Sequence, residues 1–243
     1  MLDLYCGAGG VSMGLHRAWP TAEIVGIDIK AQPRYPFTFI QADALKPPVD
    51  LQDFDFIWAS PPCQAHTALK TMHNAKVHPN LIPPTRAMLE ASGKPWVMEN
   101  VPGAPMKNPI MLCGSMFGLQ TADRVGQLRR HRLFEMSHPI LLTPECQHDS
   151  EAVIGVYGGH GRDRRRTITV VSKGGGHNGK SGRPGFPQHQ RKEAMGIDWM
   201  TDYELSQAIP PAYSEFLAKQ IGLDASDEAP SAAPGQHREG LDR

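Results

Sequence analysis

The sequence contains no apolar run approaching the roughly 20 residues that a bilayer-spanning helix needs. Its first ten residues read as a strand and a loop rather than a secretory signal, so a soluble, cytoplasmic protein is expected. Cysteine is scarce: Cys6, Cys63, Cys113 and Cys146 lie far apart with no paired spacing. That pattern suggests neither a disulfide framework nor a zinc module, and four reduced thiols are the expectation. No internal repeat is present. Net charge is also absent, with 25 basic against 25 acidic residues, which at first argues against a nucleic-acid partner.

That neutrality is an average over unlike parts. From 222 to 243 five acids (Asp224, Asp227, Glu228, Glu239, Asp242) face only Arg238 and Arg243, leaving the rest of the chain basic. Between 160 and 192 the bias is sharper, with Arg162, Arg164, Arg165, Arg166, Lys173, Lys180, Arg183, Arg191 and Lys192 against Asp163 alone. Such a window can track a phosphate backbone.

At 243 residues and 40% hydrophobic content, the chain can bury one main core and carry a small second lobe. "LDLY" (2–5), "EIVGID" (23–28), "FTFIQAD" (37–43), "FDFIWAS" (54–60) and "PWVMEN" (95–100) are short β-branched or aromatic runs, each closing on a polar residue or a loop. Strands of this kind alternating with helices predict an α/β fold around a parallel sheet, whose carboxyl edge gathers the functional loops. After Phe134 glycine and arginine become dense, and the segment through 188 reads as a small lobe unable to fill a core of its own. "QRKEAMG" and "PPAYSEFLAKQIG" then read as helices, the second opened by proline. Residues 223–243, rich in Ala, Pro, Ser and acids, are expected to be a disordered tail.

Three groupings carry chemistry. Gly7, Ala8, Gly9 and Gly10 sit between a strand and a helix, where a ligand can approach the backbone closely and the helix amino end favours an anion. Asp28 closes the next strand 21 residues after Gly7, where an acid can hold ribose hydroxyls, and Asp43 closes the third and can accept from an adenine amino group. These point to an adenosine-bearing cofactor, although the six-residue dinucleotide fingerprint fails at Ser12. Next, Pro61 and Pro62 stiffen the bend that presents Cys63, and a nucleophilic thiolate there needs a cationic neighbourhood, which Arg129, Arg130 and Arg132 offer. Glu99, 36 residues beyond Cys63, ends its own strand at the same edge and suits an acid acting on the substrate the thiol attacks. His66, His73 and His78 lack metal spacing, and His131 lies between two arginines that would oppose a bound cation, so no metal is expected. A cysteine–histidine hydrolase would leave the glycine loop and both aspartates without a purpose.

On these residues the chain resembles the cytosine carbon-5 DNA methyltransferases. "DLYCGAGG", "GID" and "QAD" look like the three cofactor motifs, "SPPCQ" the nucleophile loop, "ENV" the acid motif and "LRRHRLF" the arginine motif. "QRKEAMGI" with "LSQAIPP" resembles the closing pair. The resemblance spans about 1–133 and 189–222 in family order. It implies a Rossmann-like catalytic domain formed by 1–133 plus 189–222 that binds S-adenosylmethionine through Tyr5, Gly7, Gly9, Gly10, Asp28, Ile29, Asp43 and Ala44, and a target recognition domain over 134–188. It further implies a monomer of a bacterium or phage-infected cell acting on double-stranded DNA, with or without a cognate restriction endonuclease.

The implied reaction works on a cytosine rotated out of the duplex. Cys63 adds to carbon 6, Glu99 contacts ring nitrogen 3, Arg130 and Arg132 hold the base and the thiolate, Pro62 shapes the loop, and Asn100 braces it. Arg162, Arg164, Arg165, Arg166, Lys173 and Lys180 would contact DNA, Arg164 to Arg166 mainly through phosphates. Several positions depart from the family pattern. The glutamine of the arginine motif falls on Leu128, and a shift of one residue would bring Arg129 and His131 to the arginine positions instead. The Gly-Asn of the last motif is Ser206-Gln207, and His66 stands where an aromatic follows the nucleophile loop. A catalytically idle DNA-binding relative, or the same chemistry on RNA, are the competing readings.

Overall fold

The computed structural model describes residues 1–63, 78–138, 140, 142–148, 152–156 and 186–221. The proposed DNA contacts Arg162, Arg164, Arg165, Arg166, Lys173 and Lys180, together with His66, His73 and the 223–243 tail, lie outside the described residues.

A seven-stranded sheet organises the chain, in the order β3-β2-β1-β4-β5-β8-β6. Its strands are β1 (Leu2–Leu4), β2 (Val25–Asp28), β3 (Thr38–Gln41), β4 (Ile57–Ala59), β5 (Trp96–Asn100), β6 (Ile110–Leu112) and β8 (Arg132–Met136). The first five run parallel, with β1 at the centre pairing both β2 and β4. β8 is antiparallel to both β5 and β6. This is a Rossmann-like, mostly parallel α/β sheet, as the sequence implied. β7 (Gly126–Leu128) and β9 (Ala152–Ile154) form a separate parallel pair. β8 carries the main sheet to Met136, three residues past the expected domain boundary at 133.

The strands are apolar on both sides because helices cover both faces. Successive residues alternate between two cores, as the two-residue strand period requires. Phe56, Trp58, Val97 and Phe134 face α1 (Gly10–Ala18) and α5 (Pro211–Ile221), packing with Leu15, Tyr213 and Leu217. Ile57, Ala59, Trp96 and Met98 face the opposite way, packing with Ile82 and Leu89 of α2 (Ile82–Ser92). Pro83 and Pro84 sit in the first turn of α2, where a missing N–H costs no helical bond. α1 and α5 approach closely at Gly14, where a Cβ would run into Pro211 O and Ser214 Oγ. A third core joins α3 (Gln188–Met195) and α4 (Asp202–Gln207) to β9 and the glycine loop through Ala8, Leu128, Ile154, Met195, Met200 and Leu205. Among the described residues no helix is long and apolar enough to cross a membrane.

Candidate active site

The loop after β1 turns under geometric constraint. Tyr5 and Gly7 both take left-handed backbone angles (φ 61° and 49°), and Gly9 (φ 84°) caps α1 in the same region. For Tyr5 this conformation is costly, and it is held by a hydrogen bond between its hydroxyl and Thr85 Oγ1 at 2.9 Å and by the fold around it. A Cβ on Gly7 would meet nothing within 4 Å, so the loop borders open space there. Gly9 and Gly10 instead lie against Tyr35, Pro36 and Ile209 O, with no room for a side chain.

Asp28, the last residue of β2, stands beside this opening. Its Oδ2 accepts from Gly7 N at 3.1 Å and its Oδ1 from Lys30 N at 2.9 Å. A carboxylate offers about four acceptor directions, so both oxygens retain capacity for a diol. Asp43 is exposed beyond β3 and accepts from Leu45 N at 3.0 Å. Ile29 leaves 67% of its surface in solvent, an apolar platform at the sheet edge, while Ala44 is buried. The open side of Gly7, the two acids at strand ends and the exposed Ile29 fit an adenosine group.

Sequence reasoning missed the support beneath this loop. Asp3, fully enclosed in β1, accepts from Ser12 Oγ at 2.5 Å, and Ser12 Oγ meets Tyr35 OH at 2.7 Å. Burial above all pushes the Asp3 carboxyl up to about 7, with Asp28 adding to the rise and Ser12 opposing it. Trp199 Nε1 donates to Ala8 O at 2.8 Å, pinning the loop from the far end of the chain. The one available signal was the charged residue inside the apolar "LDL".

Cys63 ends the bend that follows β4, and Glu99 lies in β5, the next strand of the parallel set. The bend is fixed at several points: Ser60 N donates to Leu4 O at 3.0 Å, Trp58 Nε1 to Ser60 Oγ at 3.0 Å, and Asn100 Nδ2 to Pro61 O at 3.0 Å. Pro62 is exposed and Cys63 half-buried. Glu99, 6% exposed, pairs with Arg132, Nε to Oε1 at 3.1 Å. Burial raises the Glu99 carboxyl above the ordinary range, with Arg132 and then Arg130 pulling against it.

The arginines do not create the thiolate the sequence suggested. Burial pushes the Cys63 thiol up, the Glu99 carboxylate pushes the same way, and Arg132 and Arg130 only partly offset them. Geometry explains why. Arg132 is committed to Glu99, Arg129 Nε donates to Gln127 Oε1 at 3.0 Å, and Arg130 donates through Nη1 to Val156 O and through Nη2 to Ser206 O at 2.7 Å. Arg130 is therefore a strut between β9's exit and α4, and Tyr213 OH holds its carbonyl at 2.6 Å. Of the two registers open from the sequence, the one with Arg132 at an arginine position puts a guanidinium on Glu99. Ser206 uses its carbonyl to receive Arg130 and its hydroxyl to donate to Tyr203 O at 2.7 Å.

A further grouping contradicts the picture of scattered thiols. Cys113, His131, Cys146 and His148 bring one ligand atom each to within 4.8 Å of one another. His131 joins this group although arginines flank it in sequence: Arg130 donates to backbone carbonyls and Arg132 pairs with Glu99.

No protein-family model matches the chain, and no curated protein does. Solved structures do. A structure described as the Entamoeba histolytica methyltransferase EhMeth is 12% identical, with a TM-score of 0.48 over 91% of this chain and 97% of that one. An antibiotic-related methyltransferase is 13% identical (TM-score 0.32, 56% of this chain, 86% of that one). The PH0226 protein from Pyrococcus horikoshii OT3 is 18% identical (TM-score 0.29), covering 45% of this chain and 55% of that one.

Proposed function

We propose that the protein is an S-adenosylmethionine-dependent methyltransferase that modifies carbon 5 of a cytosine rotated out of double-stranded DNA. The observation that carries this reading is the placement of Cys63 and Glu99 at the ends of adjacent parallel strands, with Arg132 on the carboxyl group and Asn100 on the Cys63 bend. The cradle formed by Gly7, Asp28, Ile29 and Asp43 opens at the same carboxyl edge of the sheet. These residues would hold the cofactor, which when bound supplies an electrophilic methyl group.

Each protein group then has a defined task. The Cys63 sulfur adds to carbon 6 of the ring, and the electron pair of the 5,6 double bond moves toward carbon 5. Glu99, whose carboxyl burial raises above its ordinary range, hydrogen bonds to ring nitrogen 3 and stabilises the charge delocalised there. Because burial holds the free thiol up rather than down, its proton passes to solvent as the sulfur adds to carbon 6. After methylation, solvent takes the carbon 5 proton, the electron pair left behind restores the 5,6 double bond, and the sulfur departs as thiolate. Arg132 keeps Glu99 aimed, and the Pro61–Pro62 bend fixes the sulfur, so little geometric freedom is left to remove at the moment of reaction.

Arg162, Arg164, Arg165, Arg166, Lys173 and Lys180 would supply phosphate contacts to the DNA. Transfer of labelled methyl from S-adenosylmethionine to duplex DNA tests the reading, followed by bisulfite sequencing to locate the product. Transfer abolished in Cys63→Ser supports it. Absence of transfer to any duplex, or transfer undiminished in Cys63→Ser, overturns it.

A further inference from the structure

We propose that Cys113, His131, Cys146 and His148 form a structural zinc site that clamps the arginine-bearing loop to the chain leaving the main sheet. The four ligand atoms, all within 4.8 Å of one another, come from three separate segments. Cys113 follows β6 at the start of a 3-10 turn, His131 lies between β7 and β8, and Cys146 and His148 lie on the irregular connection from β8 to β9. Two thiols and two imidazoles are the donor set of tetrahedral structural zinc, and four protein ligands leave no open position for a substrate.

The spacing between donors matches that chemistry. With zinc–sulfur and zinc–nitrogen bonds of about 2.3 and 2.0 Å, a tetrahedron sets sulfur and nitrogen about 3.5 Å apart. Cys113 Sγ lies 3.4 Å from His148 Nε2, and Cys146 Sγ lies 3.5 Å from His131 Nε2. Cys146 Sγ and His148 Nε2, at 2.8 Å, would have to part slightly to admit the ion. The imidazoles stand nearly perpendicular, at 81°, so both present Nε2 to one point without stacking. Ser115 Oγ donates to Cys113 Sγ at 3.3 Å and lies 3.6 Å from Cys146 Sγ, an outer hydroxyl of the kind that orients and stabilises thiolates.

The surroundings explain why a tether is needed. Around Cys146 the chain has little packing to hold it: Leu142, Thr143, Glu145, Cys146, Gln147 and His148 are all exposed, yet the segment returns to the sheet edge. Besides the cluster, a hydrogen bond from Gln127 Nε2 to Gln147 O at 3.1 Å anchors it. A divalent ion joining it to buried Cys113 would fix the path toward β9. It would also fix His131, whose carbonyl accepts from Arg132 Nη1 at 2.8 Å, and so steady the guanidinium that serves Glu99. Binding requires both thiols to lose their protons, so loading releases protons and weakens as pH falls.

The inference stands apart from the proposed reaction, because metal content is read without activity. Full-length protein purified in reducing buffer without chelator is expected to carry about one zinc per chain by mass spectrometric metal analysis. Cys146→Ser and His148→Gln, both at exposed positions, should each lower that content to below about a tenth, whereas Cys63→Ser should retain it. Cobalt added to the reduced, metal-stripped wild-type chain should give the intense visible and thiolate charge-transfer bands of a tetrahedral site, a measurement independent of whether the variants fold. Absence of both zinc and the cobalt bands overturns the proposal. So do unchanged zinc in Cys146→Ser, or a Cys113–Cys146 disulfide in the metal-free native chain.

Discussion

Glu99 Oε1 and Arg132 Nε meet at 3.1 Å across the antiparallel β5–β8 pair, with only 8% and 13% of the two side chains exposed. An acid so enclosed depends on its partner. Removing one member of a buried pair strands the other, typically at a cost of about 3–5 kcal/mol. Arg132→Ala is therefore expected to lower unfolding free energy by about 3 kcal/mol in urea titrations and to raise the Glu99 carboxyl further. Glu99→Gln should retain more stability, because the amide still accepts from Arg132, while the proposed methyl transfer falls by about 10²–10⁴-fold.

The Cys63 thiol has an alkaline titration for a reason that can be tested directly. It is raised by burial first and by the Glu99 carboxylate second. The Glu99 charge opposes ionisation of this thiol, so removing that charge must ease it. In Glu99→Gln the alkylation of Cys63 by iodoacetamide, followed by peptide mass spectrometry, is expected to accelerate at a lower pH than in the wild type. Arg132→Ala should move the profile the opposite way, since Arg132 is the larger of the two cationic influences. Identical profiles in all three proteins would mean that these groups do not share one site.

Asp3 makes stability depend on pH in the acid-to-neutral range. Its carboxyl titrates at about 7 in the fold, raised from 3.8 chiefly by burial. The folded state thus holds the proton more tightly than the unfolded chain. Stability from this group is complete below about pH 4 and is lost as pH rises toward and through 7. The upper bound is about 4 kcal/mol, since each tenfold difference in proton affinity between the two states is worth about 1.4 kcal/mol. Asp3→Asn, which keeps an acceptor for Ser12, should flatten the fall in melting temperature between pH 4 and 7.

Strand ends were legible because the chemistry at them is local. Asp28, Cys63 and Glu99 each interrupt or follow an apolar run, and parallel topology carries all three to one edge. What stayed hidden depends on pairing between distant segments. Asp3 reads as part of a strand until Ser12 and Tyr35 close over it. Arg129, Arg130 and Arg132 look equivalent in sequence, and only the β7–β8 geometry sends one to Gln127, one to backbone carbonyls and one to Glu99. Cys113 and Cys146 are 33 positions apart with no short ligand spacing, and an irregular connection, not a motif, brings them together. The antiparallel insertion of β8 between β5 and β6 likewise follows from no local pattern.

Asn100 offers a test of whether the Cys63 bend needs bracing. It is fully buried, its Nδ2 donating to Pro61 O at 3.0 Å and its Oδ1 accepting from Val101 N at 2.9 Å. Proline carbonyls accept but proline nitrogens cannot donate, so the Pro61–Pro62 pair has few ways of its own to fasten the bend. Asn100→Ala removes the brace two residues before the thiol and leaves Pro61 O without that donor. A stability loss of about 1–3 kcal/mol follows from the lost buried hydrogen bond. Because the proposed cofactor cradle at Gly7 and Asp28 lies on other strands, KM for the proposed methyl donor should stay within about twofold while kcat falls at least about tenfold, as expected when only transition-state alignment is lost. Asn100→Asp keeps an acceptor for Val101 N but no donor for Pro61 O, so it should resemble the alanine variant in kcat. Wild-type turnover in either variant would show that the prolines alone hold the sulfur in place.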